Sequence, residues 1–304
     1  MTVRLALALL MIVAAATAFP WNTDTDWWIL GVAGAVLVMV LAWWRGQFVT
    51  TMIVRQLKVW RRNRSRPKQR PSHRVSVLLR VEDPDGVGLS LPLVAGYVER
   101  FGLRCETVSV TSRDLAGSRA TWIRLTLDAA ANLAALQARS PEMPLRDTAE
   151  TTGRRLADHL RETGLTVAFV EVADAPVAGA AREMWRGVRD ERGVVSAYAM
   201  PVDDRIIERL AELRLQPMER WTVLEFSGAA TKPTVAAACA LRTTEPVRAA
   251  PVRGLIAKPG LQGPLLAAMD PTSNAPLGIS SSPLPQGLLE RIVWPVGSGE
   301  LSRT

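Results

Sequence analysis

Histidine and cysteine are almost missing from this chain, two of each in 304 residues, and most of the material for catalysis and metal binding goes with them. His73 and His159 are too few for a His-based triad or a His-rich metal centre, and they read as solvated or partly buried side chains. Cys105 and Cys239 lie far apart and form no C-x-x-C, which excludes a zinc knuckle or dithiol redox pair. Both read as small core residues on or beside strands. No G-x-x-x-x-G-K-[ST] occurs, so the chain does not look like an ATPase. Gly86-Val87-Gly88 would need a third glycine where Leu91 stands, and the preceding Glu82, Asp83 and Asp85 would repel a phosphate. That stretch reads as a turn. No cofactor and no metal are expected.

Acidic residues are absent between Arg55 and Arg74, where nine Lys or Arg stand (Arg55, Lys58, Arg61, Arg62, Arg64, Arg66, Lys68, Arg70, Arg74). Subtracting these nine from the net charge of +8 leaves −1 for the rest of the chain, so the high pI belongs to this one segment. A nucleic-acid partner would call for basic residues spread over a folded face with interleaved aromatics, and it is not expected here. The pattern instead predicts a positive-inside signal with attraction to anionic lipid headgroups.

Two apolar runs precede the basic segment. Trp27 to Trp44 (WWILGVAGAVLVMVLAWW) holds no charge, Pro or Asn, and as a helix would span about 27 Å of a hydrocarbon core about 30 Å thick. Trp27, Trp28, Trp43 and Trp44 close its two ends, where indole rings favour the headgroup level. Val3 to Phe19 is a second run, broken only by Arg4. Its basic start and Ala16-Thr17-Ala18 also fit a cleaved secretory signal, although so short a following segment, the acidic PWNTDTD turn, favours a retained helix. Gly31 and Ala35 form a small-xxx-small pair suited to close helix packing, or simply to a lipid-facing small-residue surface. With no stop signal after Trp44, the helix is expected to continue as an amphipathic one, Gln47, Thr51, Arg55, Lys58 and Arg62 on one side and Val49, Ile53, Leu57 and Trp60 on the other. Arg61 to Ser72 (RRNRSRPKQRPS) reads as a linker.

From His73 to about Thr243 the pattern is that of an α/β domain large enough for its own core. Predicted strands are Arg74 to Val81, Glu106 to Val110, Thr121 to Asp128, Thr166 to Val172 as the best central strand, Val194 to Met200, and a terminal hairpin of Trp221 to Phe226 with Thr234 to Thr243. Predicted helices are Leu91 to Phe101, Ala129 to Arg139, Asp147 to Thr163 with Leu156 and Leu160 on one face and Gly164 as its stop, and Asp203 to Arg214. Beyond Thr244 the chain is rich in Pro and Gly, which predicts an extended arm with short local structure. The expected fold class is membrane-anchored α+β. It consists of a two-helix transmembrane anchor (1–44), an amphipathic helix and basic linker (45–72), a mixed-sheet α/β cytoplasmic domain (73–243) and a Pro/Gly-rich arm (244–304).

The basic stretch WRRNRSRPKQRPSHR, the segment HRVSVLLRVEDPDGVGLSLPLVAGYVERFGL, the run TWIRLTLDAAANLAAL and the helix TTGRRLADHLRETGL, in that order behind two apolar runs, resemble the EccE family of the mycobacterial type VII (ESX) secretion system. The compact length is similar to that of the paralogue tied to iron and zinc acquisition. The resemblance implies a non-enzymatic structural subunit of an inner-membrane complex, multi-pass with its C-terminal domain cytoplasmic. It also implies assembly with EccB, EccC and EccD subunits, EccC being the ATPase.

The residues expected to matter are therefore the interface anchors Trp27, Trp28, Trp43, Trp44, Arg55, Lys58, Arg61 and Arg62, and Gly31 with Ala35 for helix packing. The competing expectation is a membrane-anchored cytoplasmic enzyme acting on a sugar-nucleotide or lipid-linked substrate, with Asp203 and Asp204 as metal ligands. An anchored lipid-binding or sensory module is a third.

Overall fold

The computed structural model of the chain describes residues 2–17, 24–41, 43–44, 47–64, 73–247 and 249–298. The chain divides into two compact units, Met1–Arg66 and Pro67–Thr304.

The first unit holds α1 (Thr2–Thr17), α2 (Asp24–Leu41) and α3 (Val49–Arg64), and α1 packs along α2. Among the described residues no helix is long and apolar enough to cross a membrane. The expected pair of N-terminal transmembrane helices is thereby corrected. Helix α1 has 16 residues, about 24 Å of rise. Helix α2 begins in acid at Asp24 and Asp26 and stops at Leu41. Its uncharged part, 27 to 41, rises only about 22 Å, well below the hydrocarbon thickness. The expected continuous helix through Trp44 is interrupted, because Trp43–Trp44 is extended and pairs antiparallel with Gln47–Phe48. Residues 20–23 of the expected acidic turn and residues 65–72 of the linker lie outside the described residues, while the turn's Asp24 and Asp26 belong to α2.

The second unit is built on one sheet whose nine main strands, in chain order, are β1 (Arg74–Glu82), β2 (Leu103–Leu115), β3 (Ser118–Asp128), β4 (Thr166–Phe169), β5 (Arg182–Glu183), β6 (Val188–Asp190), β7 (Gly193–Met200), β8 (Arg220–Ala229) and β9 (Lys232–Thr243). Their spatial order is β4-β1-β3-β2-β8-β9-β7-β6-β5, and every pairing among the described residues is antiparallel. This corrects the mixed-sheet α/β expectation. Among the described residues no two neighbouring strands run parallel; each helical crossing joins strands of like direction that are separated by one antiparallel strand, β3 between β1 and β2 and β9 between β7 and β8.

The same motif occurs twice. Strand β1, a helical crossing containing α4 (Leu91–Ala95), and the hairpin β2–β3 place β3 beside β1. Strand β7, the crossing helix α7 (Ile206–Arg214), and the hairpin β8–β9 place β9 beside β7. The two motifs meet where β2 and β8 run antiparallel, with Val110 opposite Leu224. A pseudo-twofold axis normal to the sheet relates them. The β8–β9 hairpin, expected at the end of the domain, is therefore central.

Residue alternation assigns the faces. Val235, Ala237, Cys239 and Leu241 of β9 join one core with Val108, Val110, Leu224 and Phe226, covered by α6 (Leu145–Glu162), α7 and α9 (Leu288–Arg291). Ala236, Ala238 and Ala240 join a second core with Trp221, Val223 and the apolar side chains of α8 (Gln262–Met269). Cys105 reaches the first core although its parity differs from Val108, because a bulge between Cys105 and Thr107 shifts the register by one residue. After the short α5 (Leu133–Arg139), helix α6 buries Leu156 and Leu160, and ends where Gly164, at φ +93°, lets Leu165 N–H bond the Leu160 carbonyl and its own N–H bond that of Arg161. Thr166–Phe169, expected as a central strand, is an edge strand, paired among the described residues only with β1 through Leu79–Phe169 and its neighbours. The Pro/Gly-rich residues after 250 carry short elements laid on the sheet, with Leu265, Leu266, Met269, Leu277, Leu288 and Trp294 buried.

Candidate functional site

Helix α3 gathers four of the residues singled out by sequence. Lys58 and Arg61 are exposed, and Arg55 and Arg62 are half-buried on the same helix. Ile53, Leu57 and Trp60, at spacings of four and three, are between 43% and 56% exposed. The helix thus offers water an apolar stripe as well as basic side chains, the arrangement of helices that lie in a membrane interface. The Arg64 guanidinium sits 4.1 Å from the centre of the Trp60 ring, a cation–π contact that directs a basic head to the edge of the stripe. Trp27 and Trp28, in the first turn of α2, are 60% and 74% exposed. Trp43 and Trp44 are in the short hairpin and do not cap a helix. Gly31 lies in α2 with open space around the position a Cβ would take, and Ala35 is one turn further on.

Of the two acids of the competing enzyme expectation, Asp203 is engaged by neighbouring arginines. Asp203 accepts from Arg209 Nη1 at 2.7 Å and Nη2 at 2.9 Å, and from Arg205 N–H at 3.0 Å. The bonds from Arg209 hold its carboxyl below the usual range. Among the described residues no group of three His, Cys, Asp or Glu is placed to hold a metal. Asp83 organises the turn after β1, accepting from Val87 N–H at 2.9 Å and Gly88 N–H at 2.6 Å. Both cysteines are buried and reduced. Burial pushes the Cys105 thiol up to about 12 and that of Cys239 higher still, so neither is a thiolate at neutral pH. His159 Nδ1 lies 2.5 Å from the Tyr97 hydroxyl.

Two arginine clusters went unmarked in the sequence, because their members come from distant strands. In the first, Arg242 holds Asp190 and Glu219, Arg113 joins Glu219 to Asp174, and both guanidiniums lie about 5.8–5.9 Å from the centre of the Trp221 ring. Each ion has an opposite partner, and the cluster ties β6, β8, β9 and β2 together.

The second borders a cleft of about 1060 Å³ beside the β2–β3 turn. Asp114 accepts from Arg119 Nε at 2.5 Å and lies 3.1 Å from Arg220 Nε. Arg214, from the end of α7, lines the same corner and donates to the Val293 carbonyl at 2.6 Å. Arg119 also donates to the Pro295 carbonyl at 3.1 Å, so the C-terminal segment forms one wall.

Similarity to known proteins bears on the whole chain. Residues 115–200 match a family described as "Putative type VII ESX secretion system translocon, EccE". The chain is 49% identical over 288 residues to the ESX-3 secretion system protein EccE3 of Mycolicibacterium smegmatis, covering 94% of this chain and 93% of that one. It is 42% and 41% identical over 303 residues to the ESX-3 secretion system protein EccE3 of two Mycobacterium tuberculosis strains, CDC 1551 / Oshkosh and H37Rv, covering 96% of this chain and 91% of each.

Proposed function

The chain belongs to the EccE family of type VII ESX secretion proteins, a structural subunit of that machinery, and from this membership we propose how it serves the assembly. It scaffolds the complex without turning over a substrate of its own. Family likeness nearly end to end carries this reading. The engagement of Asp203 by Arg209 supports it by occupying one of the two acids on which the competing enzyme reading relied.

The subunit belongs to a membrane-associated complex, and α3 is the part of this chain suited to the bilayer surface. Ile53, Leu57 and Trp60 would enter the headgroup boundary while Arg55, Lys58, Arg61 and Arg62 meet anionic lipid, which favours the cytoplasmic leaflet. Trp27 and Trp28, exposed at the start of α2, would anchor at the same level. Gly31 and Ala35 would allow a neighbouring helix to approach closely. On this reading the sheet unit lies on the cytoplasmic side and presents its surface to the EccB, EccC and EccD subunits that the family resemblance implies.

Removing the chain from its native cell tests the scaffold role. Native gel electrophoresis of detergent-extracted membranes should show the secretion complex smaller or dissociated, restored when the chain is supplied again. An intact complex of otherwise unchanged mobility and heat stability would contradict it.

A further inference from the structure

The 1060 Å³ cleft is lined by five arginines, Arg80, Arg113, Arg119, Arg214 and Arg220, against three acids, Glu82, Asp114 and Asp174. The surplus is not spread evenly. Arg80 stands 3.3 Å from Glu82, and Arg113 stands 2.6 Å from Asp174 with Glu219 behind it. Those two arginines are balanced. In the remaining corner three guanidiniums share one carboxylate, since both oxygens of Asp114 are taken by Arg119 and Arg220. Arg214 has no carboxylate partner among the described residues and one bonded N–H, to the Val293 carbonyl.

We propose that the Arg119, Arg214 and Arg220 corner is a binding site for a multiply charged oxyanion of the phosphate class. Three cations beside one anion leave a surplus of two positive charges in a partly buried corner. A phosphate dianion is of that charge and has oxygens enough to engage the unspent N–H groups of two or three guanidinium forks. Burial and the Arg119 charge both pull Arg214 below its ordinary value, the sign of a cation held where an anion would relieve it. The cleft is open and large enough for the phosphate to be free or carried on a small molecule. Both sources present the same group to the corner.

The site tests directly. The full chain, in mild detergent, is titrated calorimetrically with inorganic pyrophosphate and in parallel with a nucleoside diphosphate. Saturable binding of either supports the site. Equal affinities assign recognition to the oxyanion alone, and tighter nucleoside diphosphate binding adds the carrier to the cleft. Arg214→Gln should weaken binding about tenfold to hundredfold, the loss of one charge-assisted pair, while Arg154→Gln, an exposed arginine on α6, should leave affinity unchanged. If Arg214→Gln does not fold, Arg214→Lys reads the same contact: it keeps the charge, loses the fork, and should still bind more weakly than the parent. Absence of saturable binding, or equal loss in Arg214→Gln and Arg154→Gln, overturns the site and reduces the corner to a structural charge cluster.

Discussion

Arg242 and Asp190 meet face to face, Nη1 to Oδ1 at 2.6 Å and Nη2 to Oδ2 at 3.0 Å, with side chains 8% and 1% exposed. The pair links β9 to β6 across the intervening β7, and Arg242 Nε reaches Glu219 at 2.8 Å just before β8. Removing one member of such a buried pair leaves the other charged and dry. Arg242→Leu should lower stability by about 3–5 kcal/mol, read as a shift of the denaturation midpoint in urea. A change within experimental error would mean that the cluster is solvated and ties nothing together.

Asp190 also gives the fold an acid limit. Burial alone would raise its carboxyl; the bonds from Arg242 and the Arg192 N–H outweigh that and hold it below the ordinary 3.8. A group depressed in the folded state stabilises fully above its unfolded value and loses that contribution as pH falls through the folded one. Stability of the parent chain should therefore decline as pH drops below about 3.8, and Asp190→Asn should flatten that part of the profile while being less stable at neutral pH. Parallel acid limbs for the two proteins would assign the limit to other carboxylates.

At the end of β8, one pair before the hairpin turn, Gly228 lies opposite Pro233 at φ +96°, where a Cβ would come 2.6 Å from the Lys232 carbonyl oxygen. Strain and backbone collision act together there. Gly228→Ala should cost about 1–3 kcal/mol, visible as a lower thermal midpoint. An unchanged midpoint would show that the hairpin end relaxes freely.

Both thiols should be silent in the folded chain. Cys105 and Cys239 sit 1% and 0% exposed in one core, with Cys105 pushed up to about 12. A colorimetric disulfide reagent at pH 8 should titrate neither until denaturant is added, and then both. Rapid modification without denaturant would place one thiol at the surface.

Sequence made the local elements legible and left their arrangement hidden. Val194 to Met200 and the β8–β9 hairpin showed themselves through alternation and turn residues, and α6 through Leu156, Leu160 and Gly164. Thr166 to Val172 is as apolar as a central strand, yet Phe169 is half covered and Val172 exposed, because apolar content says which residues seek cover and not which strand lies beside them. The run from Trp27 to Trp44 is uncharged throughout, but periodicity gave no sign of the break before Trp43. On α3, spacing alone separated Lys58 from Leu57 and Trp60. The oxyanion corner was out of reach, since only Arg119 meets Asp114 within one hairpin, β2–β3, while Arg220 is brought there by the pairing of β2 with β8 and Arg214 by the end of α7.

The membrane role assigned to α3 has its own test. Each basic residue near an anionic surface is worth about fivefold in partition, so replacing Arg55, Lys58, Arg61 and Arg62 by Gln should sharply lower binding to phosphatidylserine vesicles. Neutral phosphatidylcholine vesicles should bind parent and variant alike. Undiminished binding of the variant to anionic vesicles would remove α3 from the interface.

The scaffold reading rests most directly on who travels with this chain out of its own membrane. Tagged at one end, expressed in its native host and extracted in mild detergent, it should be recovered in a large stable complex in which mass spectrometry finds EccB, EccC and EccD. Recovery of the chain alone, intact and monodisperse, under conditions in which those subunits remain assembled with each other, would contradict the account.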